Sequence, residues 1–455
     1  MSPTTVKPVK VPAIVTELPA LGPATTLHLP KEAEATLPNG LTVIAIRRPS
    51  VPLVEVRLRI PFGKAHPARA AMLAQTILSG TDTMTSVEIA AALQTVGGGL
   101  SAGVDPDRLL LAGNGLVSGL GRILELLGEV LTAARYPAEE VATERARLVD
   151  HIQVAQSQPQ HVARTALLRR IYGRHPYANQ LPEPEQVKAV RPAQLRALHS
   201  ERVRPAGATL VLVGDIQPAK AIDTAEQILG GWAIGGDVPA SKWELPAVPS
   251  LVPGPLMVVD RPESVQSSLR MALPAVHRTH PDHAALLLAN LIFGGYFSSR
   301  WVENIREDKG YTYGPHSAIE HLVAGSSLTV AADVATEVTG PAMLETLYEL
   351  GRLASLPPGA EELEQARQYA LGSLRLGVAT QAGLAGLAVT YAGAGLRLDH
   401  LAEHSARLAA VTMDEVAAAA ATYLAPARAV TVVLGDAERI AAPLAALTPI
   451  EKAQP

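Results

Sequence analysis

Between positions 54 and 60 apolar side chains occupy every second residue, Val54, Val56, Leu58 and Ile60, and this period of two predicts a strand with one buried face. Just upstream, Asn39-Gly40 interrupts the run 35–45, a pairing that predicts a tight hairpin. The period then lengthens. Helices are expected over 67–78, ending near Gly80, and from about Ser86 to the stop at Gly97-Gly98-Gly99. A strand over 109–112, an amphipathic helix over 120–134, a long charged helix over 138–154 and a short buried strand over 210–214 follow.

The same order returns in the second half. His66-Pro67 ahead of a helix ending at Gly80 corresponds to His280-Pro281 ahead of one ending at Gly294, an offset of 214 residues in both landmarks. Val213-Gly214-Asp215 corresponds to Leu434-Gly435-Asp436 at an offset of 221, and Pro137-Ala138-Glu139-Glu140 to Gly359-Ala360-Glu361-Glu362 at 222. Three landmarks at nearly one offset predict two homologous lobes, 31–234 and 256–448. They are joined by a stiff linker, 235–255, which holds Pro239, Pro246, Pro249, Pro253 and Pro255. Residues 1–30, punctuated by six prolines, and 449–455 are expected as tails. Strands mixed with runs of helices predict an α+β fold, each lobe a mainly antiparallel sheet packed with helices, and the two lobes a clam with a cleft between them.

The most informative stretch is 290–314, NLIFGGYFSSRWVENIREDKGYTYG. A turn at Gly294-Gly295, an N-cap at Ser298 or Ser299, and a short helix with Trp301, Val302 and Ile305 on its buried face are expected. Lys309-Gly310 is the expected stop, and residues 311–313 alternate as a strand would. That arrangement brings Arg306 and Tyr313 to the same space, with Phe293 and Phe297 packed beneath and Tyr311 in the core.

Composition narrows the chemistry. At 455 residues, two or more domains are expected, and an apolar fraction of 48% is that of a globular protein. A net charge of −4 without any basic block argues against a nucleic-acid partner. The absence of cysteine removes disulfides, thiolate zinc ligands and thiol nucleophiles. No apolar run has the length of a signal-peptide core or a membrane span, so a cytoplasmic protein without a membrane partner is expected.

The duplication, Ser79-Gly80-Thr81 followed by Glu88-Ile89, Glu144-Arg145, His175-Pro176-Tyr177 and the arginine-tyrosine segment together make the chain resemble the pitrilysin or insulinase-like peptidases, the inverzincins, over about 37–435. The likeness is to the processing-peptidase branch in particular. Active members carry H-x-x-E-H, two zinc-binding histidines and a water-activating glutamate, just upstream of the Gly-Thr pair. Counting back from Gly80-Thr81 places that motif on Ala71, Met72, Leu73, Ala74 and Gln75, and the distal ligand, seven residues past Glu144, on His151. Ala71 and Ala74 have no donor atom, Gln75 is a poor ligand, and His151 alone does not make the three-donor set of a catalytic zinc. The resemblance therefore implies no metal in this chain.

What the likeness retains is the family's arginine and tyrosine seven residues apart, here Arg306 and Tyr313, which reach toward a peptide bound in a partner. A guanidinium holds carbonyl groups through several donors, and a phenol donates where charge develops on a carbonyl oxygen. A displaced metal site at His316, Glu320 and His321 is not expected. Ligands at i and i+5 lie about 140° apart on a helix and the context is strand, so these residues, with His280 and His283, are read as solvated histidines on strands and loops.

The implied role is a non-catalytic, substrate-binding subunit of a heteromeric zinc metallopeptidase. A homologous catalytic subunit would supply H-x-x-E-H and zinc, forming a heterodimer that acts on short or unfolded peptides. A structural or assembly subunit and a stand-alone peptide carrier are the alternatives.

Overall fold

A computed structural model describes residues 28–232 and 243–453, so the expected tail is covered only from His28 and the linker only from Trp243. The described residues form two six-stranded sheets. The first contains β1 (Glu32–Thr36), β2 (Thr42–Arg47), β3 (Leu53–Pro61), β4 (Gly99–Val104), β5 (Arg108–Leu116) and β6 (Thr209–Gly214), in the spatial order β1-β2-β6-β3-β5-β4. The second contains β7 (Leu256–Asp260), β8 (Gln266–Pro274), β9 (His316–Leu322), β10 (Gly325–Ala335), β11 (Val430–Gly435) and β12 (Ile450–Ala453), in the order β12-β7-β11-β8-β10-β9. Five of the six positions, all but β1 and β12, correspond one for one, which establishes the duplication.

Pairing is antiparallel except at β2–β6, β7–β11 and β7–β12. The outermost strand is the one position where the lobes differ. In the first lobe a hairpin at Asn39-Gly40 folds β1 against β2, with Gly40 at φ +89°. In the second, residues expected as a C-terminal tail return as β12, parallel to β7. The glycine-rich run after Gly97 offers no apolar alternation, yet from Gly99 it forms β4, because β5 supplies a paired edge.

Alternation along the central strands determines how the lobes join. On β6, Leu210 and Leu212 face the first lobe's own helices, while Val211 and Val213 face the opposite side. That side is covered by the second lobe's helix Gln381–Gly393 through Leu384, Ala385, Ala388 and Val389. Reciprocally, the first lobe's helix Pro159–Tyr172 lays Leu167, Leu168, Ile171 and Tyr172 on Val430, Val432 and Leu434 of β11. Each sheet is thus buried on both faces, which is why β6 and β11 read as continuous apolar runs. Polar latches flank both contacts: Arg164 to Glu320 at 3.0 and 3.2 Å, and Gln381 to the carbonyls of Arg48 and Val51 at 2.6 and 3.0 Å.

The described part of the linker is tied to the first lobe. The Arg202 guanidinium stacks 3.8 Å from the centre of the Trp243 ring, His175 Nε2 lies 2.9 Å from the Pro246 carbonyl, and Arg170 donates to the Pro255 carbonyl at 2.7 Å.

Candidate functional site

The helix Pro67–Thr76 opens with proline at its first turn, where the missing N–H costs nothing, and buries Ala68, Met72 and Leu73 in the lobe core. Its other side lines a cavity of about 310 Å³. Ala71, Ala74 and Gln75 stand there together with His151 from the neighbouring helix Ala138–Ser157. Counting along the sequence and folding in space therefore lead to one place. The donors at the counted positions are one imidazole and one amide among methyl groups, and the carboxylate that also lines the cavity, Asp105, is held by Arg108 at 3.0 Å. They do not fit a zinc ion, and no reaction step can be derived through one there. Among the described residues, no group of three His, Cys, Asp or Glu side chains is arranged to hold a metal. His175-Pro176-Tyr177 is structural: the Tyr177 hydroxyl donates to Asp107 at 2.7 Å and accepts from the Ala324 N–H at 3.0 Å across the lobe junction.

In the second lobe the helix His283–Asn290 widens into a π-type turn, Leu291–Gly295, before the chain extends at Tyr296. Gly294 lies inside that turn rather than reversing the chain. A Cβ there would come within 2.9 Å of the Trp301 ring and 3.0 Å of Ser317 Oγ, so close packing calls for the glycine. Ser299 occupies the N-cap position of the helix that starts with Arg300–Val302, but its buried hydroxyl caps no backbone N–H. The helix widens again over Glu303–Asp308 and stops at Gly310, φ +63°, as expected. Residues 311–313 are irregular and the strand begins only at His316, because Gly310 and Gly314-Pro315 bracket too short a run to pair.

Trp301, Val302 and Ile305 are buried, and the Trp301 ring stacks on Phe293 with centroids 5.3 Å apart. Three polar ties fix the helix to its neighbours. Arg300 pairs with Glu362 at 2.5 Å, Asn304 donates to Glu345 and Glu349 at 3.0 Å each, and Lys309 lies 3.4 Å from Glu345. The free side presents Arg306. Its guanidinium lies 4.3 Å from the centre of the Phe297 ring and 5.2 Å from that of Tyr313, with Glu307 at 3.3 Å. Tyr313 is 88% exposed and Phe297 59% exposed. Phe297 is therefore not the core residue expected. It is an exposed platform for Arg306, and its position nine residues earlier, outside any periodic face, gave no signal of this. Tyr311 packs against the core, as expected.

Two of the histidines, His283 and His321, depart from expectation. His316 is exposed, and Glu320 pairs with Arg164. His283 is only 4% exposed, with its Nε2 3.1 Å from Nε2 of His321 and its ring centroid 5.0 Å from that of His404. Burial, reinforced by the neighbouring histidines and Arg278, holds His283 and His321 well below the ordinary histidine range; burial pulls His404 down to about 4. The cluster unites a helix, a strand and a second helix more than a hundred residues further on, a contact that local sequence context does not show. His280 remains a turn residue, accepting from the Asp282 N–H at 3.1 Å.

A duplicated α+β chain with an arginine-tyrosine projection in one lobe, and a cavity where the other would place a metal, has the scaffold of a two-lobed metallopeptidase. The family description "Insulinase (Peptidase family M16)" matches residues 42–185, and "Peptidase M16 inactive domain" matches residues 189–369. The chain belongs to this insulinase-like M16 family. An uncharacterized zinc protease of Mycobacterium bovis is 25% identical over 367 residues, 79% of this chain and 82% of the relative. Among solved structures, the peptidase M16 inactive domain from Pseudomonas fluorescens superimposes with a TM-score of 0.80 at 22% identity, covering 89% of this chain and 98% of that one. A protease from Helicobacter pylori does so with a TM-score of 0.82 at 18% identity, covering 90% and 100%. No described helix is long and apolar enough to cross a membrane.

Proposed function

We propose that this chain is the non-catalytic, substrate-binding subunit of a cytoplasmic two-chain zinc peptidase. A homologous partner with an intact H-x-x-E-H motif supplies the metal. This chain supplies Arg306 and Tyr313, which hold and polarise the backbone of an extended peptide. The observation that carries the reading is the contrast between the two lobes. The cavity lined by Ala71, Ala74, Gln75 and His151 lacks a donor set, whereas Arg306 projects from a helix anchored on its other side by Glu345, Glu349 and Glu362, with Tyr313 beside it in the irregular chain that follows.

The chemistry follows from the residue types. The Arg306 guanidinium offers several N–H donors in a fixed fork, and the Phe297 ring beside it limits its rotamers without consuming them. The Tyr313 hydroxyl is a donor suited to an oxygen on which charge builds. The test is reconstitution: the chain alone should not hydrolyse peptides, and mixing it with a metal-bearing homologue should create activity that Arg306→Ala removes. Activity of the mixture that is indifferent to Arg306→Ala and Tyr313→Phe would refute the role.

A further inference from the structure

At the junction of the lobes lies a second cavity, of about 290 Å³, far more than the roughly 10–15 Å³ that a single water requires. It is walled by Arg59 and Arg108 from the first sheet and by Arg278 and His321 from the second lobe, with Asp105 and Asp107 at its side. Arg59 lies on β3, on the face opposite Val56, Leu58 and Ile60. It is 9% exposed, and its Nε is buried without a hydrogen-bond partner. Gly393 makes room for it, since a Cβ there would stand 2.7 Å from that Nε.

Both acids act on Arg59 through space, but neither forms an ion pair or a hydrogen bond with it. Asp105 is engaged by Arg108 Nε at 3.0 Å and by the N–H groups of Asp107 and Arg108 at 2.9 and 3.0 Å. Asp107 accepts twice from the Tyr177 hydroxyl, at 2.7 and 2.9 Å. The nearby helix Gln381–Gly393 ends beside Arg59, but its last carbonyls, those of Thr390, Tyr391 and Ala392, already accept from the N–H groups of residues 394–396. Among the described residues, neither Arg59 nor Arg278 has a hydrogen bond or an ion pair, and burial lowers the proton affinity of both.

Two guanidiniums that face one cavity without an ion-pair partner of their own, while Asp105 and Asp107 are hydrogen-bonded elsewhere, are stabilised when an anion joins them. We infer that the junction cavity is a binding site for a small oxyanion with two negative charges, of the phosphate or dicarboxylate class, held between Arg59 and Arg278 and fastening the lobes to each other. The fork of a guanidinium matches two oxygens of such an ion. Arg59 comes from one sheet and Arg278 from the loop after β8 of the other, so the bound ion spans the duplication. The site is separate from the Arg306 segment and does not depend on the role proposed for it.

The experiment is calorimetric titration of the full chain with inorganic phosphate and, separately, with succinate, at constant ionic strength set by chloride. Saturable binding of at least one of them is expected, one per chain, in about the millimolar range or tighter. Arg278→Gln, at the half-buried rim, and Arg59→Met should each weaken it at least about tenfold, and the same ion should raise the thermal midpoint of the wild type only. Binding of phosphate rather than succinate would assign the tetrahedral class, and the reverse the dicarboxylate class. Absence of saturable binding by both ions, or binding that Arg278→Gln leaves unchanged, would overturn the inference, including in the event that Arg59→Met does not fold.

Discussion

The Arg306 guanidinium lies 5.2 Å from the centre of the Tyr313 ring, although no regular element connects the two residues. Seven residues of helix end, glycine stop and irregular chain bring them together, and the Phe297 ring lies 4.3 Å from the same guanidinium. The pairing is thus made by side-chain stacking rather than by a strand.

Because Tyr313 is 88% exposed, Tyr313→Phe should leave the thermal midpoint of the chain unchanged. In the reconstituted peptidase it should lower turnover by about 100- to 1000-fold, the cost of losing one donor to a developing oxyanion. Phe297→Ala should reduce turnover less, by freeing Arg306 to leave its working rotamer. Steady-state kinetics of the mixture, with the midpoint of each variant as a control, checks both.

The vacant donor set has a direct test. Ala71→His with Gln75→His would place two imidazoles at i and i+4 of one helix, facing His151 across the 310 Å³ cavity. Such a variant should bind about one zinc per chain, measured by metal analysis after dialysis. Failure to bind zinc in a folded variant would show that these positions are not the counterpart of the family's ligands.

Trp301 is 1% exposed, stacked on Phe293 and hydrogen-bonded through Nε1 to Thr346 Oγ1 at 3.0 Å. Trp301→Ala should cost about 3–5 kcal/mol of stability. Denaturant titration measures this. A loss under about 1 kcal/mol would mean that the helix carrying Arg306 is not anchored as described.

The histidine cluster predicts acid sensitivity. In the unfolded chain these imidazoles take up protons as the pH falls through about 6.5. In the folded chain burial delays protonation of His404 to about 4 and keeps His283 and His321 neutral well below 6.5. The unfolded state then binds more protons, so stability is complete above about pH 6.5 and declines toward pH 4. The nearly buried His283 contributes up to about 1.4 kcal/mol per pH unit within that window. His283→Leu should flatten the pH dependence of the urea midpoint relative to wild type; an identical slope would exclude the cluster as its source.

Much of this was legible locally. The Asn39-Gly40 hairpin, the β3 alternation, the Gly310 stop and the duplication all follow from patterns within a few residues or from a constant offset. Counting from Gly80-Thr81 and Glu144 also reached the residues of one cavity. Contacts set by long-range pairing were not legible. The β12 residues extend a sheet only because β7 has an open edge, and β4 forms only against β5. His283 is buried by His404, and Phe297 is drawn out of the core by Arg306. In each case the deciding partner is distant in sequence or acts through stacking, to which periodicity is blind.

The division of labour between the lobes rests most directly on zinc content and chelator-sensitive peptide hydrolysis. Both are to be measured on the purified chain before and after mixing with a homologue that carries H-x-x-E-H. The expected result is neither stoichiometric zinc nor hydrolysis in the chain alone, and hydrolysis after mixing that Arg306→Ala abolishes. Stoichiometric zinc together with chelator-sensitive hydrolysis in the unaccompanied chain would contradict it.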